Sequence, residues 1–310
     1  MKITVILCTY NRCRDLPRAL DSILASELPD AVQWEVLVVD NNSSDQTREV
    51  VEDFCRRYPN RFRYLAEPRQ GLSNARNAAI RGARADVLVF TDDDVTVEPN
   101  WLQNLTAPLE DGQWAGTAGR IRLGQGFLPP RWLAVSGAFN LGGSLVQFDQ
   151  GDEHGPLEKP PFGANMAFRK TTFDKYGGFR TDLGRNGRGL IGNEDTEFGE
   201  RLIAAGERLC YVPEAVVNHP VPPERLTKKY LRAYWFSYGR GLARQEGKRL
   251  PLWKIPLRYL RRVKRTLQWM FRMDRHWFLD PQGRFFCEVF ACQTAGEIFE
   301  SYCRSLTNGE

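Results

Sequence analysis

The first 125 residues alternate short apolar runs rich in β-branched side chains with segments of helical periodicity. The apolar runs cover residues 3–8, 35–39, 62–66 and 87–90, and apolar side chains recur at helical spacing between them. A βαβα order of this kind predicts a mainly parallel sheet with helices on both faces. Because ligands of such sheets bind outside the carboxyl ends of the strands, a functional site is expected at that edge.

Polar segments occur at each of the expected strand ends. Residues 9–12 follow the first strand and residues 40–45 the second, residues 69–77 lead into the third helix, and residues 92–94 follow the fourth strand. Taken singly, such residues are more readily explained as turn formers or helix caps. Four polar segments at one edge of a sheet favour a ligand site over four unrelated turns.

The most charged of these segments is the run Asp92, Asp93 and Asp94, which ends a strand that is expected to be buried. Carboxylates this close repel one another at a cost on the order of several kcal/mol. A hard divalent cation bound by carboxylate oxygens would offset that cost, and a solvated acidic turn is the alternative. Two Gly-rich motifs bind phosphate after a first strand, G-x-x-x-x-G-K-[ST] and G-x-G-x-x-G, and neither occurs here. A bound nucleotide would therefore need a metal at its phosphates.

A second acidic cluster begins near residue 193. Asn193 is predicted to cap a helix whose first turn contains Glu194, Asp195 and Glu197. The helix dipole alone favours acidic residues in a first turn. The Gly-rich approach over residues 184–192 is typical of a mobile loop beside a site, which favours a functional role for the helix start.

Two further segments supply candidate residues. Residues 160–169 are predicted to run from a loop into a strand, with Gly163 and Asn165 where close backbone approach is permitted, although Gly163 equally fits an ordinary turn. Residues 209–219 are predicted to form a strand hairpin ending at His219. A lone histidine is more often structural, but one that follows a strand near a carboxylate cluster is a candidate metal ligand.

Together these segments resemble family 2 glycosyltransferases with the GT-A fold. The resemblance extends over roughly residues 1–222 and rests on the ordered motifs VILCTYNR, EVLVVDNNSSDQT, GLSNARNA, VLVFTDDDV, PFGANMAFRK, GNEDTEFGERL and VVNHP. It implies a GT-A type, Rossmann-like mixed sheet that is mainly parallel and flanked by helices. The implied reaction is the inverting transfer of a sugar from a nucleotide-diphosphate donor, typically a UDP-sugar, to a hydroxyl group in polysaccharide or glycolipid synthesis.

The resemblance also implies roles for individual residues. The nucleotide-binding residues would be Thr9, Tyr10, Asn11, Arg12, Asp40, Arg76, Asp92 and Asp93. Asp94 and His219 would bind Mn²⁺ or Mg²⁺, and Asp195 would deprotonate the acceptor hydroxyl. The residues beside the donor and acceptor sugars would be Gly163, Asn165 and Glu194. Because three consecutive aspartates exceed the D-x-D of the family, Asp93 is a further candidate for part of the metal-binding role.

The C-terminal part of the chain has a different composition. Residues 221–275 carry 16 Lys or Arg against 3 Asp or Glu, in a chain whose net charge is +5. We predict a catalytic domain over residues 1–223 and a basic, aromatic-rich helical extension over residues 224–310. Its first helix is predicted over residues 226–244 and its second over residues 256–273.

The second of these helices is predicted to be amphipathic. Its apolar side contains Leu257, Leu260, Val263, Leu267, Met270 and Phe271. Its basic side contains Arg258, Arg261, Arg262, Arg265 and Arg272, with Trp269 nearby. Such a helix suits the surface of an anionic membrane, where a saccharide or lipid-linked acceptor would be met. The alternative is a helix packed on the catalytic domain with a solvated basic side.

Other function classes make different use of these features. A nucleic-acid-binding protein would use the basic extension but leave the acidic clusters without a role, so no nucleic-acid partner is expected. A sugar-phosphate nucleotidyltransferase on a related fold usually has a Gly-rich basic loop after the first strand, and residues 9–12 are not one. No apolar run approaches the ~20 residues of a membrane span, and the initial apolar run is too short for a signal peptide. We therefore expect a cytoplasmic protein, peripheral at the inner face of the cell membrane.

Overall fold

The computed structural model describes residues 1–124, 126–187, 189–247, 253–273 and 278–306. The strands are Lys2–Thr9 (β1), Gln33–Asp40 (β2), Phe62–Ala66 (β3), Val87–Asp92 (β4), Thr96–Val97 (β5), Gly116–Leu123 (β6), Gly155–Pro156 (β7), Asn165–Arg169 (β8) and Leu209–His219 (β9). The helices are Leu16–Leu24 (α1), Thr47–Arg57 (α2), Leu72–Gly82 (α3), Trp101–Thr106 (α4), Lys170–Tyr176 (α5), Glu194–Ala204 (α6), Lys228–Glu246 (α7), Lys254–Met273 (α8) and Pro281–Leu306 (α9).

The strands form one mixed sheet in the order β3-β2-β1-β4-β8-β6-β9-β5, with β7 paired to β9. Neighbours among β3, β2, β1 and β4 are parallel, β8 is antiparallel to both of its neighbours, and β6 is again parallel to β9. The four predicted strands and the mainly parallel sheet are confirmed. The register is also informative, because Thr9 pairs with Asp40 and Cys8 with Asp92, which brings three strand ends to one level.

The sheet is buried on both faces. On β1, Ile3, Val5 and Leu7 belong to one apolar cluster, whereas Ile6 belongs to the cluster on the opposite face. This explains why the strand sequences are continuous apolar runs rather than alternating ones. The second cluster contains Phe198 of α6, which packs against the rings of Phe168 and Phe173 and so holds α6 near the sheet.

The predicted hairpin over residues 209–219 is wrong, because these residues form the single strand β9. The proline at position 213 suggests a turn, but the pairing of β9 with β6 is interrupted only locally, with Val212 opposite Gly119 and Val217 opposite Ile121. A bulge therefore accommodates the irregularity. Gly119 is required there, since a Cβ atom at this position would lie 2.0 Å from the carbonyl oxygen of Ala215.

The chain divides into two compact units. The first contains residues 1–125, 146–188 and 194–220, and the second contains residues 126–145, 189–193 and 221–310. The predicted boundary at residue 223 lies close to the last of these junctions, but the second unit also includes two earlier segments. The division of function between the two parts of the chain stays a prediction.

The second unit is helical. Helix α7 begins two residues later than predicted because Thr227 caps it, accepting a hydrogen bond from the backbone N–H of Tyr230 at 3.1 Å. It ends at Gly247, whose φ of 63° is the left-handed conformation of a helix C-terminus. Helix α9 was not predicted, since its buried residues include polar ones such as Gln293 and Glu300 rather than an apolar stripe.

Helices α7 and α9 approach each other at two glycines. A Cβ atom at Gly239 would lie 2.0 Å from the carbonyl oxygen of Gln293, and one at Gly296 would lie 1.9 Å from that of Phe236. The two backbones are therefore in direct contact at this crossing. Glu300 of α9 accepts hydrogen bonds from Arg240 at 2.8 Å and Arg244 at 2.7 Å, which joins the same two helices by charge.

Part of the predicted amphipathic pattern of α8 lies outside the side chains that the structure describes. The members of the pattern whose side chains are not described are Arg258, Arg262, Arg265, Trp269, Met270, Phe271 and Arg272. In the described part of the chain, no helix combines the length and the hydropathy needed to cross a bilayer.

Candidate active site

Three ligand atoms for a metal converge where β4 and β9 end. Asp92 is the last residue of β4, Asp94 lies in the turn that follows, and His219 is the last residue of β9. Antiparallel pairing of Thr96 with Asn218 brings the chain after Asp94 beside His219. One side-chain atom from each of Asp92, Asp94 and His219 lies within 4.8 Å of the other two. Residues from distant parts of the sequence thus form one candidate site.

The chemistry of this group fits a divalent cation. Asp94 and His219 are buried, and the Nε2 atom of His219 lies 3.6 Å from Oδ1 of Asp94. Among the described residues, Nδ1 of His219 has no hydrogen-bond partner although it is buried. Two carboxylates and an imidazole form a donor set that suits Mn²⁺, with Mg²⁺ as a harder alternative. The structure therefore groups Asp92 with Asp94 and leaves Asp93 outside the group.

Arginine side chains surround the aspartate run. Nη2 of Arg12 lies 3.4 Å from Oδ2 of Asp94, and its Nε lies 3.9 Å from Oδ1 of Asp93. Arg18, which the sequence did not single out, donates a hydrogen bond to the backbone carbonyl of Asp94 at 3.2 Å. Burial and the neighbouring Asp94 raise the pKa of Asp93 to about 7, although Thr9 and Arg12 act in the opposite direction. The predicted nucleotide residue Arg12 thus contacts the acidic site directly.

The loops after β1 and β2 hold each other in place. The backbone N–H of Asn11 donates to Ser43 Oγ at 3.0 Å, and the backbone N–H of Ser44 donates to Oδ1 of Asn11 at 2.8 Å. Asn11 has a φ of 52°, which asparagine tolerates better than most residues. Tyr10 beside it is exposed and Thr9 is buried. The predicted nucleotide residues 9–12 therefore lie at the rim, as the strand order indicates.

Asp40 at the end of β2 is buried and accepts two hydrogen bonds. Its Oδ1 accepts from the backbone N–H of Ser43 at 2.9 Å, and its Oδ2 accepts from the hydroxyl of Tyr64 at 2.9 Å. Burial and this carboxylate raise the pKa of Tyr64 to about 12. The adjacent Asn41, missed by sequence reasoning, accepts a hydrogen bond from the backbone N–H of Gly71 at 2.7 Å. Its position within the run of polar residues after β2 was the available signal.

Arg76 connects the aspartate run to the start of α6. It is buried, its Nη1 donates to Oε1 of Glu194 at 2.7 Å, and its Nη2 lies 3.8 Å from Oδ1 of Asp92. Burial and the adjacent Asp195 raise the pKa of Glu194 to about 7, although the guanidinium acts in the opposite direction. Arg76, predicted to bind nucleotide, and Glu194, predicted to lie beside the sugars, are thus paired with each other.

Gly163 leaves the space that Arg76 occupies. A Cβ atom at residue 163 would lie 2.0 Å from Nη2 of Arg76 and 2.7 Å from its Cζ. The backbone N–H of Gly163 also donates to Oδ2 of Asp195 at 2.7 Å. This glycine is therefore not an ordinary turn residue, since it permits a buried arginine on one side and holds the predicted catalytic carboxylate on the other.

Asp195 lies in the first turn of α6 and is half-buried. Besides the bond from Gly163, its Oδ1 accepts from the backbone N–H of Thr196 at 2.7 Å. Because a carboxylate offers about four lone-pair positions, the side chain can accept further hydrogen bonds while held in this orientation. Asn193, predicted to cap α6, has a φ of 76°, which differs from the extended backbone of a helix cap.

Asn165 is placed differently from the other predicted residues. It is fully buried, its Nδ2 donates to the carbonyls of Arg120 and Ala215, and its Oδ1 accepts from Nε1 of Trp101 at 2.8 Å. These bonds tie β8 to its surroundings and use both amide hydrogens. A contact between this side chain and a sugar gains no support from the geometry and stays a prediction.

The Gly-rich approach to α6 begins in close contact with α3. The hydroxyl of Ser73 donates to the carbonyl of Leu183 at 2.8 Å, and the backbone N–H of Leu72 donates to that of Arg185. Gly184 has a φ of 93°, and a Cβ atom there would lie 2.5 Å from Ser73 Oγ. The start of the segment that was predicted to be mobile is therefore held by α3.

Known proteins similar to this chain include a bacterial saccharide biosynthesis protein and an archaeal glycosyltransferase. The succinoglycan biosynthesis protein ExoM of Rhizobium meliloti is 29% identical over 262 residues, which cover 83% of this chain and 80% of that protein. The glucosyl-dolichyl phosphate glucuronosyltransferase of Haloferax volcanii is 27% identical over 249 residues, 77% of this chain and 76% of that protein.

Solved structures resemble the fold at lower identity. The mannosyltransferase PcManGT of Pyrobaculum calidifontis, in complex with GDP-Man and Mn²⁺, matches 99% of this chain and 76% of its own, with a TM-score of 0.58 and 18% identity. GalNAc-T7 with UDP, GalNAc and Mn²⁺ matches 81% of this chain and 52% of its own, with a TM-score of 0.55 and 18% identity. The sheet and its helices are therefore a GT-A fold. The family model described as glycosyl transferase family 2 matches residues 4–177, more than half of the chain, so the protein belongs to that family of glycosyltransferases.

Proposed function

We propose that this glycosyltransferase transfers a sugar, with inversion, from a nucleotide-diphosphate donor to a hydroxyl group of a saccharide or lipid-linked acceptor. The observation that carries the proposal is the connection between two acidic centres at one rim. Arg76 contacts Asp92 on one side and Glu194 on the other, and Asp195 follows Glu194 directly. A candidate metal group and a candidate base are thus held in one fixed arrangement.

The donor end consists of the strand-end loops and the candidate metal group. Asp92, Asp94 and His219 would hold Mn²⁺ or Mg²⁺. Such an ion, when bound, neutralises negative charge on a nucleoside diphosphate leaving group. Solved neighbours contain Mn²⁺ with GDP-Man or with UDP. Asp40, together with residues 9–12, lies at the adjacent strand ends and would contact the nucleoside, for which we propose a uridine.

The acceptor end is Asp195. Its carboxylate is oriented by two backbone N–H groups and keeps lone pairs free to accept the proton of an incoming hydroxyl. A base that acts on the side opposite to the leaving group gives a single displacement and inverts the anomeric centre. Glu194 is unsuited to this role, because it is buried and its Oε1 is bound to Arg76 at 2.7 Å.

The acceptor class is proposed from the relatives. One similar protein takes part in succinoglycan synthesis, and another transfers glucuronic acid to a glucosyl-dolichyl phosphate. Both names describe growth of a saccharide on a carrier or chain, which supports a hydroxyl of a saccharide or lipid-linked saccharide as the acceptor here. The nucleic-acid and nucleotidyltransferase alternatives are not supported by the family to which the chain belongs.

A screen of nucleotide sugars tests this function. Purified full-length protein is incubated with UDP- and GDP-sugars in the presence of Mn²⁺, and release of the nucleoside diphosphate is measured. We expect release from one donor class. With a saccharide acceptor added, transfer should be reduced on the order of 10²-fold or more in Asp195→Asn while donor binding stays nearly intact. Asp174→Asn, an exposed aspartate of α5, is the matched control and should behave as the wild type.

Three outcomes would contradict the proposal. Failure to release a nucleoside diphosphate from any donor would refute the donor class. Full transfer by the Asp195→Asn protein would remove Asp195 as the base. Loss of donor binding together with transfer would show that Asp195 holds the donor instead.

A further inference from the structure

Helix α8 exposes apolar side chains on the side that does not pack against the protein. Leu257, Leu260 and Leu267 are 50%, 65% and 40% exposed, and Trp253 just before the helix is 67% exposed. At 100° per residue these four positions fall within about a quarter of the helix circumference. Large apolar side chains clustered in this way mark a surface that binds something.

The opposite side of α8 is the packed one. Ile255 and Tyr259 are 0% and 3% exposed, and the hydroxyl of Tyr259 lies 3.2 Å from Oγ of Ser301 in α9. If the helix only packed on the catalytic domain and left a basic side in solvent, its leucines would be buried. The exposure of Leu257, Leu260 and Leu267 favours a surface that binds a partner over that alternative.

Cations lie among the exposed leucines. Lys254, Arg261 and Lys264 are exposed and fall on the same half of the helix as Leu257 and Leu260. Residues 253–273 contain neither Asp nor Glu. We define Trp253, Lys254, Leu257, Leu260, Arg261, Lys264 and Leu267 as the α8 outer surface. On this surface apolar side chains lie beside charged ones, and all of the charged side chains are cationic.

We propose that the α8 outer surface binds the surface of an anionic lipid membrane, with the helix lying in the plane of the interface. Leucine and tryptophan side chains would enter the boundary between headgroups and acyl chains, while the lysine and arginine side chains contact anionic headgroups. None of the described helices has the length and hydropathy needed to cross a bilayer. Phe278 and Leu279, 47% and 64% exposed, add apolar side chains shortly after the helix.

A second copy of this chain is a poorer partner for the same surface. A two-fold contact pairs each surface with itself. Lys254, Arg261 and Lys264 would then face the same three cations, with no acidic residue of the helix to offset them. Repulsion between like charges at such a contact disfavours it, whereas an anionic headgroup layer is complementary.

Sedimentation with lipid vesicles tests the proposal and needs no nucleotide sugar, so it is independent of the proposed reaction. Full-length protein is mixed with vesicles containing phosphatidylglycerol or with vesicles of phosphatidylcholine alone. We expect binding to the anionic vesicles only, weakened strongly as salt increases. Leu257→Gln/Leu260→Gln should lower the affinity by more than about tenfold. Lys264→Gln should lower it by about fivefold.

Matched controls lie elsewhere on the surface. Leu128, 83% exposed, is changed to Gln as the control for the leucines, and Arg56 of α2, whose side chain is 70% exposed, is changed to Gln as the control for the lysine. Both controls should bind like the wild type, and circular dichroism should show that all variants are folded. Equal binding to neutral vesicles, failure to bind either kind, or α8 variants that bind as well as the controls would overturn the proposal. So would a concentration-dependent dimer, lost in the leucine variant, without binding to vesicles.

Discussion

At the scale of single residues, the site depends on a buried charged side chain held in a tightly shaped space. Arg76 has carboxylates on two sides and Gly163 against its guanidinium. Burying an arginine is costly unless it is paired, and removal of one partner leaves an uncompensated charge. The glycine and the ion pair therefore form one unit, in which a small change in volume affects a charged contact.

Gly163→Ala should reduce transfer strongly, because the added methyl group would displace Arg76 and with it Glu194 and the turn that carries Asp195. Overpacking of this kind costs about 1–3 kcal/mol in stability. We expect kcat to fall by at least about tenfold, which corresponds to an increase of ~1.4 kcal/mol in the activation free energy. The matched control is Gly155→Ala in β7, where no atom lies within 4 Å of the added Cβ. Equal activity of the two variants would show that Arg76 can move without consequence.

Asp94→Ala should abolish the part of donor binding that depends on metal. Asp94 is the member of the candidate metal group that also lies nearest to His219 and Arg12. Isothermal titration calorimetry with the donor, with and without Mn²⁺, measures this directly. The wild type should bind more tightly with Mn²⁺, whereas the variant should bind equally in both conditions. An Asp94→Ala protein that keeps the metal dependence would move the ligand role to Asp92 or Asp93.

At the scale of secondary structure elements, the helical unit is organised by the crossing of α7 and α9. At the centre of the crossing, Gly239 and Gly296 bring the backbones together. Glu300 then bridges Arg240 and Arg244 one turn further along α9. Burial raises the pKa of Glu300, but hydrogen bonds from Arg244 and Arg240 outweigh it and hold the pKa below its ordinary range.

Glu300→Gln should destabilise the protein at neutral pH but not in acid. A carboxylate whose pKa is lower in the folded state stabilises that state above the ordinary pKa of glutamate, about 4.3, and the contribution is lost as pH falls through the lower folded value. Thermal unfolding at several pH values should show a wild-type advantage of a few degrees near pH 7. This advantage should shrink once pH falls below about 4.3 and disappear below the folded pKa of Glu300.

The control for this pair lies on the same helix. Glu288 accepts from Arg232 at 2.6 Å, but both side chains are well exposed. An exposed ion pair contributes little, so Glu288→Gln should leave the unfolding temperature nearly unchanged at every pH. A difference between Glu300→Gln and wild type that persists at low pH would mean that packing, not charge, is responsible.

At the scale of the whole molecule, the second compact unit is assembled from separate parts of the sequence. Residues 126–145 belong to it together with the C-terminal helices. The ring of Trp132 packs against Phe285 with centroids 4.6 Å apart, and that of Phe139 packs against Phe286 at 5.8 Å. A protein cut at the predicted boundary would lose both partners.

Truncation after residue 223 should therefore give a less stable chain with exposed apolar surface. Loss of the Phe285 ring alone, tested as Phe285→Ala in the full chain, should cost about 3–5 kcal/mol. Differential scanning calorimetry and binding of a hydrophobic dye measure the two effects. If residues 1–223 unfolded at the same temperature as the full chain and bound no dye, the predicted boundary would mark an independent domain after all.

The sequence by itself predicted the four strands of the parallel part of the sheet and a ligand rim at their carboxyl ends. Continuous apolar runs followed by polar residues are sufficient to predict buried parallel strands with ligand residues at their carboxyl ends, because that relation is local to each strand. The aspartate run and His219 were singled out in this way, whereas Asp195 was singled out by its place in an acidic helix start after a Gly-rich segment and by the resemblance to family 2 glycosyltransferases. The family match agrees with the fold and the class of enzyme.

Only the tertiary structure decided how these residues are combined. The pairing of β5 with β9 places His219 beside Asp94. Gly163 leaves room for Arg76, which connects Asp92 to Glu194. The same holds for β9 as one strand, for α9 with its polar buried side, and for the exposure of the leucines of α8. Each depends on contacts between residues far apart in the chain, and such contacts leave no periodic signal in the local sequence.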